Sequence, residues 1–189
     1  LKGYVYGLNN NQGLVVVAHG LGGGADSYLP QITYFVDQGW RVFAYDKTGS
    51  FDSEGEPTKG YPQAVIDLDA ALTYINTQEE FTDLPILLFG HSWGGYAVAN
   101  LLHYDYEIVG VVTVSGANSA MEMILEQGRS MMGGFITTQY PYLWLYQRFL
   151  FGDTASLNAL DAINQTEVPV LIVHGLEDAV VAYEGSSII

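Results

Sequence analysis

The chain has 189 residues, of which 49% are hydrophobic and only 14% are charged, a composition typical of one globular domain with a substantial core. Six basic residues against 21 acidic ones give a formal net charge of −15, and a field of that sign repels phosphate backbones, so nucleic acid is not an expected partner. The absence of cysteine excludes disulfides, thiolate metal sites and cysteine nucleophiles. No apolar run approaches the roughly 20 residues that cross a bilayer, so no transmembrane segment is expected. Location stays open between cytoplasmic and exported, and the oligomeric state is not readable.

Apolar runs alternate with helical patterns along the chain. Residues 3–7 predict an antiparallel edge strand, and β-branched or otherwise apolar runs predict buried strands at residues 14–19, 41–46, 86–89, 108–115 and 168–174. Helices are predicted from an N-cap at Asp26 or Ser27 to about Gly39, from Pro62 to about Ile75, and over residues 95–102. Strands that alternate with helices in this way predict an α/β fold, a mostly parallel sheet with helices on both faces.

Two details of this pattern concern polar positions. In the helix after Pro62, the apolar residues recur at helical spacing, so Asp67 and Asp69 are expected to face away from the core. The segment from Lys47 to Lys59 is expected to be a polar loop.

Residues 117–166 interrupt the alternation. They separate two predicted strands by about fifty residues, far more than a crossover of 10–12 needs, and they are rich in methionine and aromatic residues. One interpretation is an extra helical layer that buries its own core, and another is a cap over a binding site, lined by flexible apolar side chains. We therefore divide the chain into a core part at residues 1–116, a cap insertion at 117–166 and a second core part at 167–189.

The most informative motif is Gly90-His91-Ser92-Trp93-Gly94, which follows the predicted strand at residues 86–89 directly. It fits the G-x-S-x-G pattern, in which a strand turns sharply into a helix and holds a serine hydroxyl clear of the sheet. The small residues are needed because strand and helix approach closely at that turn. Ser92 is therefore the candidate nucleophile, although a glycine-rich turn with an incidental serine is the alternative.

A serine nucleophile needs a base, and the base needs an acid that fixes its tautomer. Asp178 follows the predicted strand at residues 168–174, at the edge where parallel sheets bind ligands, and the order Ser92 then Asp178 matches that of nucleophile and acid. Glu177 is the neighbouring alternative. The other position open to an acid, after the strand ending at Ser115, carries Asn118.

The tetrahedral intermediate of acyl transfer needs backbone amides aimed at its oxyanion. Trp93, the residue after the serine, is expected to supply one, and Leu21 in the glycine-rich loop after the strand at residues 14–19 is expected to supply the other. A phosphate-binding loop is the competing interpretation, but Gly22-Gly23-Gly24 lacks both the Walker lysine and the spaced dinucleotide pattern. We therefore expect no cofactor and no metal.

Four motifs in this order resemble the α/β-hydrolase superfamily, in particular monoacylglycerol-lipase-like and serine-aminopeptidase-like hydrolases: His19-Gly20-Leu21-Gly22, Asp46-Lys47-Thr48-Gly49, Gly90 to Gly95, and His174-Gly175-Leu176-Glu177-Asp178. The resemblance implies an eight-stranded, mostly parallel sheet with a cap. It also implies hydrolysis of esters or related acyl bonds through an acyl-enzyme. One departure is Phe51, which stands where such sequences usually carry a second glycine.

A second departure concerns the base, which in that superfamily is a histidine one strand beyond the acid. The chain reaches only Ile189, so we expect the base, with a further strand and helix, beyond that residue. His19 and His174 sit in His-Gly turns at strand ends, and His103 lies on the helix leading away from the site. His91 is expected to point to the side of the turn opposite the serine.

Two classes of function follow. The first is a serine hydrolase of the carboxylesterase or lipase type, acting on a small, fairly apolar ester or acyl substrate; aminopeptidase and thioesterase activities are variants. An aminopeptidase needs acidic groups for the substrate amine, which Glu122 and Glu126 could supply, although both also fit solvated helix positions. The second class is a hydrolase-like scaffold that binds an apolar ligand or a partner without turnover.

Overall fold

The computed structural model describes residues 1–56 and 59–189. Within them the chain forms one sheet of six strands in the order β1-β3-β2-β4-β5-β6. The strands are β1 (Lys2–Tyr6), β2 (Leu14–Ala18), β3 (Arg41–Asp46), β4 (Ile86–His91), β5 (Ile108–Val114) and β6 (Val170–Val173). β1 pairs antiparallel with β3, and all other neighbours pair in parallel. The predicted strands and the antiparallel edge are thus confirmed.

Helices cover both faces of the sheet, because the strands are apolar on both sides. All five residues of β2 are buried. Alternate β2 side chains meet α1 (Leu29–Asp37) on one face, and α2 (Gln63–Asn76) with α3 (Trp93–Asn100) on the other. A 3-10 turn at Ala25–Tyr28 precedes α1, so the first predicted helix begins with a tighter turn.

Residues 120–165 form α4 (Ala120–Met132), α5 (Ile136–Phe151) and α6 (Ala159–Gln165), joined by 3-10 turns. Although α5 is rich in aromatic side chains, only Ile136, Gln147 and Phe151 of it are buried. Phe149 at 86% and Met131 at 84% exposure are nearly free of packing. Among the described residues, no helix has both the length and the apolarity that crossing a membrane requires.

Three features differ from the sequence-based expectation. Asp67 does not face away from the core: it is only 2% exposed and accepts hydrogen bonds from the amide and hydroxyl of Thr48 (2.8 and 2.7 Å) and from the amide group of Gln63 (2.9 Å). The β6 run is only half buried, because β6 is an edge strand of the described sheet; Leu171 and Val173 are exposed. Phe51 adopts a φ of 46°, in the region that favours glycine, which explains why a glycine suits that position.

The turn between β4 and α3 leaves no room for side chains at its glycines. A Cβ on Gly94 would overlap the backbone carbonyl of Ala18, and a Cβ on Gly90 would overlap the backbone of Gly94. Both obstacles are backbone atoms, which cannot rotate away as a side chain can. Helix α3 therefore lies directly against β2 and β4.

We expect the substitution Gly94→Ala to lower the free energy of unfolding by about 3 kcal/mol or more, because β2 or α3 must shift to admit the methyl group. Urea unfolding monitored by circular dichroism measures the loss. Gly134→Ala is the matched control, since a Cβ there meets nothing within 4 Å. Equal stabilities of the two variants would contradict the close approach of α3 to β2.

Candidate active site

Ser92 lies at the turn from β4 into α3 with φ 54° and ψ −115°. A positive φ at a residue with a side chain costs on the order of 1–3 kcal/mol and persists only when the surroundings impose it. Here the Ser92 amide donates to the carbonyl of Val114 (2.8 Å), and the Ser92 carbonyl accepts from the amide of Tyr96 (3.0 Å). The turn therefore holds the predicted nucleophile in the strained conformation that the G-x-S-x-G motif requires.

A cavity of about 430 Å³ opens beside Ser92. Its wall combines the glycine-rich loop after β2, the end of β4 and the start of α1, and is lined by Gly20, Leu21, Gly23, Ser27, Tyr28, Gln31, Phe89, His91, Ser92 and Val114. A second cavity of about 220 Å³ shares Leu21 with the first and is lined by Leu21, Lys59, Gly60, Tyr61 and Trp93. Three of the four predicted site residues, Ser92, Leu21 and Trp93, therefore border one or both of these adjoining cavities.

The amides of Leu21 and Trp93 have no hydrogen-bond acceptor in the described part of the chain. The Trp93 amide is one of the first-turn donors of α3, which have no partner within a helix. The Gly20 amide, by contrast, is occupied, because it donates to the Tyr28 hydroxyl (2.9 Å). The loop after β2 and the start of α3 thus each present a free amide.

Tyr28 links the glycine-rich loop to the serine turn. Its oxygen accepts from the Gly20 amide (2.9 Å), and the hydroxyl group forms a 2.7 Å hydrogen bond with Nδ1 of His91. Burial lowers the pKa of His91; the positive charge of Lys47 also lowers it, and Asp178 opposes them. The neutral form of His91 is therefore favoured. The expectation that His91 points away from the serine is wrong, since its ring lines the same cavity as Ser92.

Asp178 lies in the loop after β6, at the same sheet edge as Ser92. One carboxylate oxygen accepts from the amides of Val180 (2.9 Å) and Val181 (3.0 Å). Partial burial raises the pKa of Asp178, but these amides, the Ser115 hydroxyl and His174 outweigh it, so the pKa lies below its ordinary value and the group is ionised at neutral pH.

The two neighbouring candidates differ from Asp178 in their surroundings. Glu177 is exposed and makes no hydrogen bond to any residue that the structure describes. Asn118 is nearly buried; its side chain donates to Glu122 (2.8 Å) and accepts from the Leu160 amide (3.0 Å), so it ties α4 to α6.

No histidine contacts the hydroxyl of Ser92 within residues 1–56 and 59–189. His19 bonds to the Gly20 carbonyl through Nδ1 (2.7 Å) and accepts the Lys47 amide at Nε2 (3.0 Å). His103 pairs with the Asn158 carbonyl (2.9 Å), and His174 with the Val181 carbonyl (2.8 Å), while its Nε2 lies 3.8 Å from Asp178. Each imidazole is thus committed to a local partner.

The acidic residues of α4 have structural partners. Glu126 accepts from the amides of Ala182 (3.0 Å) and Ser186 (2.8 Å), so it anchors the segment that follows Asp178. Glu122 accepts from Asn118. The interpretation as a solvated helix position is therefore wrong for Glu126, which is half-buried, whereas Glu122 is exposed on α4, in agreement with it. The described residues also contain no group of three or more His, Cys, Asp or Glu side chains arranged to hold a metal ion.

One site feature escaped sequence analysis. Lys47, expected in a polar loop, has a fully buried side chain whose ammonium donates to the His19 carbonyl and lies 4.8 Å from the centre of the Trp93 ring. The only sequence signal was its position directly after a predicted strand.

We expect Tyr28→Phe to lower the free energy of unfolding by about 1–3 kcal/mol, because it leaves the buried Gly20 amide without an acceptor. Urea unfolding measures the loss. Tyr34→Phe is the control, since Tyr34 is 62% exposed and its hydroxyl has no bond to any described residue. An unchanged stability for Tyr28→Phe would show that the hydroxyl does not hold the loop.

Residues 9–162 match the model of the family described as "Serine aminopeptidase, S33". Among curated proteins, the chain is 24% identical over 174 residues to the uncharacterized protein YfhR of Salmonella typhi, covering 91% of this chain and 56% of that protein. It is 22% identical over 184 residues to the lysophosphatidylserine lipase ABHD12 of Danio rerio, covering 96% and 47%. The chain thus spans about half the length of these relatives.

Solved structures share the fold. The esterase Pf2001 of Pyrococcus furiosus superposes with a TM-score of 0.71 at 22% identity, over 96% of this chain and 68% of that one. Est1E of Butyrivibrio proteoclasticus, solved with ferulic acid bound, gives 0.69 at 19% identity, over 97% and 78%. A monoacylglycerol lipase of Paleococcus ferrophilus gives 0.63 at 21% identity, over 97% and 80%. The predicted α/β-hydrolase fold is confirmed.

Proposed function

Because this chain belongs to the serine aminopeptidase S33 family, we propose that it carries the nucleophile of a serine hydrolase that cleaves carboxylic esters of small, fairly apolar substrates. The observation that supports this most directly is Ser92, held at φ 54° in a cavity that Leu21 also lines and followed in the chain by Trp93, with the amides of Leu21 and Trp93 lacking an acceptor among the described residues. A strained serine with unpaired donors on the neighbouring segments is suited to attack a carbonyl and to bind the oxyanion that results.

In the proposed reaction, Oγ of Ser92 bonds to the ester carbonyl carbon as a base takes its proton. The negative charge on the carbonyl oxygen is stabilised by the amides of Leu21 and Trp93. The carbon–oxygen bond to the alcohol then breaks, and the alcohol leaves with the proton from the base. Water, activated by the same base, releases the acid from the acyl-enzyme and restores Ser92.

The proposed base is a histidine outside this chain. The four histidines here have local partners, and the chain spans only about half of its curated relatives. Asp178 is the proposed acid that orients that base. Its low pKa supports the role, because the acid must be ionised to stabilise an imidazolium.

The two cavities support a small substrate. The 220 Å³ cavity is walled mainly by Leu21, Tyr61 and Trp93, with the charged Lys59 also in its lining, and suits an apolar acyl or alkyl group. The 430 Å³ cavity carries the polar side chains of Ser27 and Gln31. We assign residues 117–166 as the cap over the smaller cavity. Gln127 of α4 bonds to Tyr61 (3.4 Å), and a Cβ on Gly60 would lie 2.7 Å from Oε1 of Gln147 on α5.

Esters fit this site better than peptides with a free amino terminus. Recognition of an ammonium group needs a carboxylate, and the two glutamates of α4 that could supply one already bond to Asn118 and to the amides of Ala182 and Ser186. Glu177 makes no such bond but lies exposed in the loop after β6 and lines neither cavity. A thioester reacts through the same groups and stays a variant of the proposal.

A non-enzymatic binding scaffold is the second candidate. It is favoured by one observation: within the described residues, no imidazole lies in hydrogen-bond reach of Ser92. A base must reach the proton that it removes, so without one Ser92 would be a structural residue of the turn.

Covalent labelling with a fluorophosphonate probe, read by intact mass, separates the two candidates. We expect the full-length gene product to be labelled once, Ser92→Ala to abolish labelling, and this 189-residue chain to react far more slowly because loss of a triad member leaves only residual reactivity. Ser130→Ala is the control, since Ser130 is an exposed serine of α4. A full-length protein that resists the probe would favour the scaffold.

A comparison of substrates tests the bond type. We expect the full-length protein to hydrolyse p-nitrophenyl acetate and butyrate, with activity lost in Ser92→Ala and reduced at least a hundredfold in Asp178→Asn, because the amide favours the wrong tautomer of the base. Faster cleavage of an aminoacyl p-nitroanilide than of either ester would contradict the preference for esters.

A further inference from the structure

Lys47 is a buried cation that the proposed reaction does not use. It is the first residue after β3, and its side chain is 0% exposed. A lysine is almost never fully buried unless it is paired, because desolvation of an ammonium is costly. Within residues 1–56 and 59–189, no carboxylate lies within salt-bridge distance of its Nζ.

The partners of Lys47 belong to the two segments that carry the free amides. Its Nζ donates to the carbonyl of His19, two residues before Leu21, and lies 4.8 Å from the ring centre of Trp93. Its backbone amide also donates to Nε2 of His19 (3.0 Å). One side chain therefore bridges the loop after β2 and the start of α3.

Lys47 and Tyr28 together fix the orientation of the peptide group between His19 and Gly20. The carbonyl of the His19–Gly20 peptide accepts from Lys47, and the amide of the same peptide donates to Tyr28 (2.9 Å). The next amide along the chain is that of Leu21. On the other side, the Trp93 ring is held by its own Nε1, which donates to the Tyr61 carbonyl (2.8 Å), and by the ammonium over its face.

We propose that Lys47 is a positioning residue of the oxyanion hole: its ammonium fixes the loop that carries the Leu21 amide relative to the helix start that carries the Trp93 amide. The assignment rests on the proposed function. The ammonium also places a positive charge against the His19 carbonyl and the Trp93 ring, in a buried part of the molecule where charge acts strongly on a developing oxyanion.

A purely structural role does not account for a cation here. Replacement of a buried charge by an apolar side chain of similar size is often neutral or stabilising, so packing alone would be served as well by methionine. The field of Lys47 also reaches the cavity, since it lowers the pKa of His91 beside Ser92.

The charge of Lys47 is sensitive to pH near neutrality. Burial lowers the pKa of Lys47 to about 7, and the Asp67 carboxylate acts in the opposite sense. Two imidazoles also face it. The pKa of His19 falls to about 4 through burial and the charge of Lys47, so it is neutral throughout this range, and the pKa of His91 is lowered by burial and by the same charge. As the pH rises through 7, the ammonium loses its proton and the proposed support of the oxyanion hole weakens.

The test uses the full-length gene product with Lys47→Met, Lys47→Arg and the control Lys2→Met, which removes the charge of an exposed lysine. We expect Lys47→Met to lower kcat for p-nitrophenyl acetate about tenfold and to change KM less than twofold. This decrease in kcat is smaller than the one expected when a direct oxyanion donor is removed. The wild-type kcat should decline above about pH 7, and this alkaline limb should disappear in Lys47→Met. Lys47→Arg, which stays charged, should keep part of the wild-type kcat and should not show the decline of kcat above pH 7.

A second measurement follows the amides themselves by nuclear magnetic resonance. We expect the Leu21 and Trp93 amide signals to shift together with pH in the wild type, with an apparent pKa near 7, and to stay fixed in Lys47→Met. Where Lys47→Met fails to fold, Lys47→Arg, which stays charged in this range, is expected to remove the titration from both amide signals.

The outcomes separate the two proposals. The role of Lys47 would be overturned if Lys47→Met kept the kcat of the wild type and its decline above pH 7. It would also be overturned if the two amide signals of the wild type did not respond to pH. Amide signals that titrate in a protein without Ser92-dependent hydrolysis would overturn the proposed esterase function and keep Lys47 as the residue that positions the two amides.

Discussion

The close approach of α3 to β2 and β4 is the constraint on which the site depends. Gly94 faces the carbonyl of Ala18 and Gly90 faces the backbone of Gly94, with no room for a Cβ at either position. A chain that must turn from strand to helix in so little space forces the intervening residue to a φ of 54°. Ser92 is that residue, so the same contact that packs the helix onto the sheet also exposes the proposed nucleophile.

The parallel sheet assembles the remaining groups around this turn. The carboxyl ends of the parallel strands β2, β4 and β6 lie at the same end of the sheet. The loop with Leu21, the turn with Ser92 and the loop with Asp178 follow these strands, so they share that end although they are distant in sequence. Lys47 follows β3, the neighbour of β2 on the side away from β4, and ties the first two segments together through His19 and Trp93. The order of the strands thus brings the site segments to one end of the sheet, and buried polar contacts fix how these segments are placed relative to one another.

Sequence patterns predicted the strands and the serine turn because both are local. The short β-branched run at residues 14–18 is typical of a covered strand, and the small residue at Gly90 is required by a contact four residues along the chain, with Gly94. The burial of Asp67, the anchoring role of Glu126 and the place of Lys47 could not be predicted in this way. Each depends on a partner from a distant loop, namely Thr48, the amides at 182 and 186, and His19.

A crystal structure of the full-length protein after reaction with a fluorophosphonate tests the central claim most directly. The account predicts a bond between phosphorus and Oγ of Ser92, with the phosphoryl oxygen accepting hydrogen bonds from the amides of both Leu21 and Trp93. An adduct on another residue, or a phosphoryl oxygen turned away from these two amides, would contradict it.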